Sequence, residues 1–162
     1  MKIKKELFQN LYEALDAQGQ PLCLLGIDEI LRQNLYHRRI ALMVVDKRGK
    51  MLLNTPENED YDFLFSGPVP AAWSKLAYAE QCALEHLKNG HIKLLCELPP
   101  TLNNSWAFCS VYQIEISNSF AEMLALDKNK RLLLDKAELN ALINMALPFS
   151  QLFKQFYFSY LK

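Results

Sequence analysis

Three side chains that could hold a metal ion or move a proton lie in one predicted helix: Glu80, Glu85 and His86. Carboxylate oxygens and imidazole nitrogens bind divalent cations, and both groups also act as general acids and bases. The sequence therefore predicts Glu80, Glu85 and His86 as candidate catalytic residues. Of these, Glu80 and His86 are the candidate metal ligands, for Mg²⁺ or Mn²⁺ if the protein is active.

The period of this helix limits what the three side chains can do together. Its predicted buried face carries apolar residues at helical spacing, namely Leu76, Ala79, Ala83 and Leu87. Glu80 and His86 fall at the two edges of that face, and Glu85 falls opposite it. Five residue steps turn a helix by about 140°, so Glu80 and Glu85 point in different directions. A flanking salt bridge for Glu80 and a structural role for His86 are therefore open alternatives.

Two charged segments lie outside the helix. His37-Arg38-Arg39 precedes an apolar run, and Arg38 and Arg39 either face an anionic ligand there or cap the sheet. The loop from Glu57 to Asp62 is acidic; it either stays in solvent or supplies carboxylates to a site from outside the helix. Cys82 lies one helical turn from His86, a pairing that would suit a thiol nucleophile but is usually coincidence.

The strands that must position these groups follow from residue type and alternation. The continuous apolar run from Ile40 to Val45 predicts a strand covered on both faces. Gly49 then closes a tight turn to a return strand at Lys50 to Leu53. Further strands are predicted at Leu22 to Leu25, Tyr61 to Phe65, Trp106 to Ile116 and Arg131 to Leu134.

Helices are predicted at both ends of the chain. Apolar residues from Leu7 to Leu15 predict a helical extension over residues 1–20, and residues 135–162 predict two helices. Asp135 and Glu138 form a capping box for the first of the two. The second carries a stripe of large apolar residues, namely Phe149, Leu152, Phe153, Phe156 and Tyr160. Such a stripe forms either core or the surface of a homodimer.

Composition narrows the class of protein. The chain has 162 residues, of which 51% are hydrophobic, so we expect one domain with its own core. A formal net charge of zero gives no electrostatic reason to bind nucleic acid or an anionic membrane. The four cysteines form no Cys-x-x-Cys pair, and no apolar run is long enough to span a membrane. We therefore expect a cytoplasmic protein with free thiols.

The order of these segments resembles the Nudix family, in its isopentenyl-diphosphate-isomerase-like branch. His37-Arg38 resembles the "H-R" that enters the central strand, and Asp46 to Leu53 resembles the hairpin that follows. Tyr61-Asp62-Phe63 with Gly67-Pro68-Val69 resembles the "W-D … G-H-V" that opens the Nudix box. The resemblance covers most of the chain. It implies an α/β/α sandwich with a mixed sheet, a metal held by glutamates, cleavage of diphosphate linkages, and Arg38, Arg39 and Gly67 as substrate contacts.

The chain departs from the family where the chemistry would lie. The family carries an Arg-Glu pair and a Glu-Glu pair on one helix face, whereas this helix keeps only Glu80 and Glu85. Many family members carry basic residues just after the second strand, where this chain has Asn54-Thr55-Pro56. The sequence therefore favours a degenerate Nudix box and a weakly catalytic or non-catalytic module that binds a small phosphorylated ligand. The alternative is a metal-dependent hydrolase of a nucleoside-diphosphate-linked or other diphosphate substrate.

Overall fold

Strand β3 (His37–Asp46) is the centre of a mixed sheet in the computed structural model, which describes residues 10–55, 59–127 and 130–162. The other strands are β1 (Tyr12–Leu15), β2 (Pro21–Leu25), β4 (Met51–Asn54), β5 (Asp62–Phe63), β6 (Phe65–Pro68), β7 (Ile92–Leu98), β8 (Ala107–Ile116) and β9 (Arg131–Leu134). The helices are α1 (Ile27–Arg32), α2 (Lys75–Leu87), α3 (Asn118–Leu124), α4 (Lys136–Asn144) and α5 (Gln151–Phe156), which continues as a π-helical turn, Tyr157–Leu161.

The sheet runs in the order β5-β4-β3-β8-β7. β3 pairs with β8 in parallel along its whole length, and β7 pairs with β8 in the antiparallel sense. The other edge of β3 pairs first with β6, at Arg39–Leu42, and then with β4, at Val44 and Val45. Because β6 and β4 share one edge, β4 turns away and continues alongside β5 and β9. The chain from Asp62 to Pro68 bridges the gap that opens there.

Both faces of β3 are covered, as its apolar run predicts. Ile40, Leu42 and Val44 pack against α2 and α3, and the alternate residues pack against α4 and α5. The fold is therefore α/β with a mixed sheet between helices. Within the described residues, no helix is long and apolar enough to cross a membrane.

The predicted helix over residues 1–20 is wrong where the structure describes that segment. Tyr12–Leu15 is a strand that pairs with β2, and residues 1–9 lie outside the described residues. The Asp16 carboxylate accepts hydrogen bonds from the backbone N–H groups of Gln18 and Gln20, and Gly19 adopts φ 81°. This turn reverses the chain into a hairpin, so a local side-chain interaction outweighs the helical spacing of the apolar residues.

The C-terminal elements match the prediction closely. Asp135 and Glu138 form the expected capping box at the start of α4. Four of the five residues of the C-terminal stripe of large apolar residues are buried in the core, whereas Tyr160 is 46% exposed. The Phe153 ring lies 5.0 Å from Phe63, measured between ring centroids, so the stripe joins α5 to the sheet beside β4. The stripe is therefore mainly core.

Truncating the stripe should destabilise the whole fold. Phe153 is fully buried, so Phe153→Ala should lower the free energy of unfolding by about 3–5 kcal/mol through lost burial and a residual cavity. Phe158→Ala is the matched control, because that ring is 54% exposed. Urea unfolding of both variants measures the difference. Equal losses in the two variants would contradict this assignment of the core.

His37 should make stability depend on pH. It is 1% exposed, its Nδ1–H donates to the Leu35 carbonyl, and Nε2 has no hydrogen-bond partner among the described residues. Burial, with a smaller contribution from the Arg39 charge, lowers the pKa of His37 below its ordinary value of 6.5. The unfolded chain therefore takes up the proton at a higher pH than the native protein. Stability from this source is complete above about pH 6.5 and is lost as the pH falls below it.

The measurement is urea unfolding of the parent and His37→Gln from pH 5 to 7.5. The parent should lose stability relative to His37→Gln as the pH falls. His91→Gln, at an exposed position, controls for the loss of a histidine. A stability difference between the parent and His37→Gln that does not change with pH would contradict the burial of a neutral imidazole.

Candidate functional site

Helix α2 presents its three candidate catalytic residues to the surface. The Ser74 side chain caps the helix by accepting a hydrogen bond from the Ala77 N–H. The buried residues of α2 are Ala79, Cys82, Ala83 and Leu87, which include three of the four predicted residues. Leu76, the fourth predicted residue, is 50% exposed. Glu80, Glu85 and His86 are all exposed, and the Glu85 carboxylate accepts a hydrogen bond from Gln81 at 2.7 Å.

These residues do not fit the metal that the Nudix resemblance implies. Six residue steps separate Glu80 from His86, which is about 120° of rotation and about 9 Å of rise along the helix. Two side chains that diverge in this way do not converge on one ion. In the part of the chain that the structure describes, no three His, Cys, Asp or Glu side chains come together in a way that could hold a metal.

Arg38 has a structural set of partners. It points to the α2 side of β3, where its guanidinium donates to the carbonyls of Trp73 and Pro70 at 2.8 and 3.3 Å. It also pairs with the Glu13 carboxylate of β1 at 3.3 Å. Arg38 thus ties the N-terminal hairpin and the loop before α2 to the central strand. The predicted substrate contact at Arg38 stays a prediction; its guanidinium already bonds two carbonyls and pairs with Glu13.

Arg39 points to the opposite face of β3, toward the gap between β4 and β6. Its Nη2 donates to the Ser66 Oγ at 3.1 Å, and its buried Nε has no hydrogen-bond partner among the described residues. Gly67, the neighbour of Ser66, is buried and pairs with Ile40. A Cβ at Gly67 would lie 3.7 Å from the Phe65 ring, an ordinary contact, so the position does not demand glycine for space.

A cleft of about 560 Å³ opens where β4 and β6 diverge. We call it the divergence cleft. Its walls come from the end of β4, the β5–β6 segment and the start of α5, and its lining residues are Asn54, Glu59, Asp60, Asp62, Phe63, Leu64, Phe65, Ser66 and Ser150. Part of the acidic loop predicted from the sequence therefore lines a cavity: Glu59, Asp60 and Asp62. Residues 57 and 58 of that loop lie outside the described residues.

Asp62 is the half-buried acid of the divergence cleft. Its carboxylate accepts hydrogen bonds from the Ser150 hydroxyl and the Phe63 N–H, both at 2.8 Å. Burial raises the pKa of Asp62 above its ordinary value, while those two hydrogen bonds and the nearby Arg39 guanidinium act in the opposite direction. Arg39, Asp62, Ser66 and Ser150 thus form one polar group at the cleft.

His86 lies at a second, smaller cavity of about 210 Å³. We call it the His86 cavity; its lining residues are Asn54, Leu64, His86, Leu87, Leu124 and Arg131. The His86 ring packs against Phe65, with 5.3 Å between ring centroids. The divergence cleft and the His86 cavity share Asn54 and Leu64, so they adjoin where β4 ends.

The sequence did not predict four polar residues that line these cavities: Asn54, Ser66, Ser150 and Arg131. Ser150 lies 88 positions from Asp62 along the chain, and no local pattern connects them. The sequence predicts Arg131 only as the start of a strand. Its position follows from pairing, because β9 places Arg131 directly opposite Asn54. Strand pairing brings Arg131 to the site, and backbone hydrogen bonds between Tyr61 and the segment before α5 bring Ser150 there.

Comparison with known proteins informs the fold. No protein-family model matches the chain, and no curated protein matches it either. Among solved structures, 32 chains match. One is the crystal structure of DR0079 from Deinococcus radiodurans, which is 16% identical, with a TM-score of 0.63 over 86% of this chain and 92% of that chain. At that identity the similarity shows a shared fold alone.

The buried thiol of Cys82 should be unreactive. Burial raises its pKa to about 11, so almost none of the reactive thiolate forms near neutral pH despite His86 one turn away. In the native protein, a chromogenic disulfide reagent should react quickly at the exposed Cys23. We expect Cys23→Ser to remove this fast phase and Cys82→Ser to retain it. Loss of the fast phase in Cys82→Ser would instead indicate an activated Cys82.

Proposed function

We propose that this chain is a divergent Nudix-like protein that binds a small phosphorylated ligand in the divergence cleft, with little or no hydrolysis. The observation that carries the proposal is Arg39. Its guanidinium lies behind the cleft lining, where it donates to Ser66, a lining residue, and its buried Nε has no hydrogen-bond partner among the described residues. A guanidinium with free donors beside a cavity suits a phosphate group, since its planar fork matches phosphate oxygens.

The rest of the cleft lining supports a ligand that also carries hydroxyl groups. Carboxylates accept hydrogen bonds from hydroxyls, and Glu59, Asp60 and Asp62 all line the cavity. A volume of about 560 Å³ is in the usual range for a small-molecule site. A nucleotide or a sugar phosphate combines both features. Such a ligand would place one phosphate group near Arg39 and its hydroxyls among the acids.

The surface of α2 supports a binding role over hydrolysis. Glu80 and His86 diverge around the helix, and Glu85 is engaged by Gln81. The alternative, a metal-dependent hydrolase of a diphosphate substrate, rests on the resemblance to the Nudix family, because the described residues hold no group of three metal ligands. In that case Glu80, His86 and the acids of the loop from Glu57 to Asp62 would be the residues to test as metal ligands. The predicted homodimer and cytoplasmic location stay predictions.

The proposal predicts ligand binding that depends on Arg39. Nucleotides, nucleotide sugars and sugar phosphates should be screened for a rise in melting temperature and then measured by calorimetry. Arg39→Gln should weaken the binding of a hit by about tenfold or more, because a hydrogen bond to a charged group is lost. Arg32→Gln is the matched control, since Arg32 pairs with Glu29 on the exposed surface of α1. The proposal is contradicted if none of the compounds in the panel raises the melting temperature.

Turnover distinguishes the two functions. The same panel should be assayed for released phosphate and pyrophosphate with Mg²⁺, with Mn²⁺ and with EDTA. A binding module should release neither product. Metal-dependent turnover would establish the hydrolase instead. Glu80→Gln would then test the predicted ligand, since unchanged turnover in that variant would exclude Glu80 from the site.

A further inference from the structure

The His86 cavity has the lining of an anion site. Its polar side chains are Asn54, His86 and Arg131, and no carboxylate is among its lining residues. The divergence cleft next to it carries three. The two cavities therefore differ in charge although they meet at Asn54 and Leu64. An anionic group entering this region meets less repulsion in the smaller cavity.

Arg131 is the main source of positive charge there. It is half-buried at the start of β9, opposite Asn54. Its Nε is buried without a hydrogen-bond partner, and its guanidinium forms no ion pair with any residue that the structure describes. The neighbouring Lys130 behaves differently, because it is exposed and pairs with Asp127 at 3.8 Å. A partly buried guanidinium without a counter-charge is unfavourable unless an anion completes it.

The remaining walls position a second donor. The Asn54 side-chain amide donates to the Leu64 carbonyl at 2.8 Å, which fixes the backbone between β5 and β6. The His86 ring packs on Phe65 and makes no side-chain hydrogen bond within the described residues, so its ring nitrogens are free to bind a ligand. Arg131 and His86 thus approach one cavity from a strand and a helix on either side of it.

We propose that the His86 cavity binds an oxyanion, such as a phosphoryl group, through the Arg131 guanidinium and the His86 imidazole. Its volume of about 210 Å³ falls below the roughly 300–1,000 Å³ of sites for whole drug-sized molecules. It suits a single charged group rather than a nucleoside. This inference deepens the proposed function. It rests on that function only for the remaining part of the ligand, which would occupy the adjoining divergence cleft.

The direct test uses inorganic pyrophosphate as the probe. Calorimetry should show binding to the parent protein that weakens about tenfold to a hundredfold in Arg131→Gln, because the charged donors are lost. Lys130→Gln removes the same charge one residue away and should bind like the parent. Equal binding by Arg131→Gln and the parent, or an equal loss in Lys130→Gln, would overturn the proposal.

A second measurement uses the parent protein alone, so it does not depend on whether a variant folds. The Nε–Hε resonances of the parent's arginines should be followed by NMR while pyrophosphate is added. The Arg131 signal should shift with saturation, and the signal of the exposed Arg32 should not. If the Arg131 signal does not move while pyrophosphate is in excess, the proposal is wrong.

The two proposals fail in different ways. Arg39→Gln should keep the part of pyrophosphate binding that depends on Arg131, since Arg39 is not among the residues that line the His86 cavity. Pyrophosphate binding through Arg131 without any nucleotide or sugar phosphate binding would support this inference and reject the proposed function. Ligand binding that depends on Arg39 but is indifferent to Arg131→Gln would reject this inference alone.

Discussion

The edge of β3 that faces away from β8 is divided between two strands. β6 pairs with residues Arg39–Leu42 and β4 with Val44 and Val45, so β4 must diverge from the central strand. Parallel pairing with β8 fixes the other edge along its whole length, so the sheet can open on one side only. Leu64 is the single residue between β5, which pairs with β4, and β6, which pairs with β3. Both cavities lie at this opening, so the site is a consequence of how the sheet is paired.

Burial of the Asp62 carboxylate at this opening lowers the stability of the folded protein. Burial keeps the pKa of Asp62 above its ordinary value, so the native protein binds that proton more readily than the unfolded chain does. The carboxylate therefore subtracts stability as the pH rises through its native pKa. An asparagine would accept the same two hydrogen bonds, from Ser150 and the Phe63 N–H, without this penalty. A charge kept at such a cost is expected at a binding site, where stability and function compete.

Patterns that span a few residues predicted most of the fold. The apolar run of β3, the turn at Gly49 and the capping box of Asp135 depend only on neighbours along the chain, and each was found. Errors arose where another interaction competed. The hairpin turn held by Asp16 outweighed the helical period of the apolar residues near Leu15. Leu76 is exposed although its spacing matches the predicted buried face of α2. The candidate site was predicted less well, because strand pairing and not local spacing brings its residues together.

Arg131 shows why a missing motif residue is weak evidence for a missing charge. Reading along the chain, Asn54 and Thr55 stand where the Nudix resemblance leads one to expect a basic residue, and the chain has none there. Reading across the sheet, β9 places an arginine directly opposite Asn54. Antiparallel neighbours lie about 5 Å apart, so a side chain from the paired strand reaches the same space as one from the strand itself. The charge near the end of β4 is therefore supplied by a segment that a linear motif does not contain.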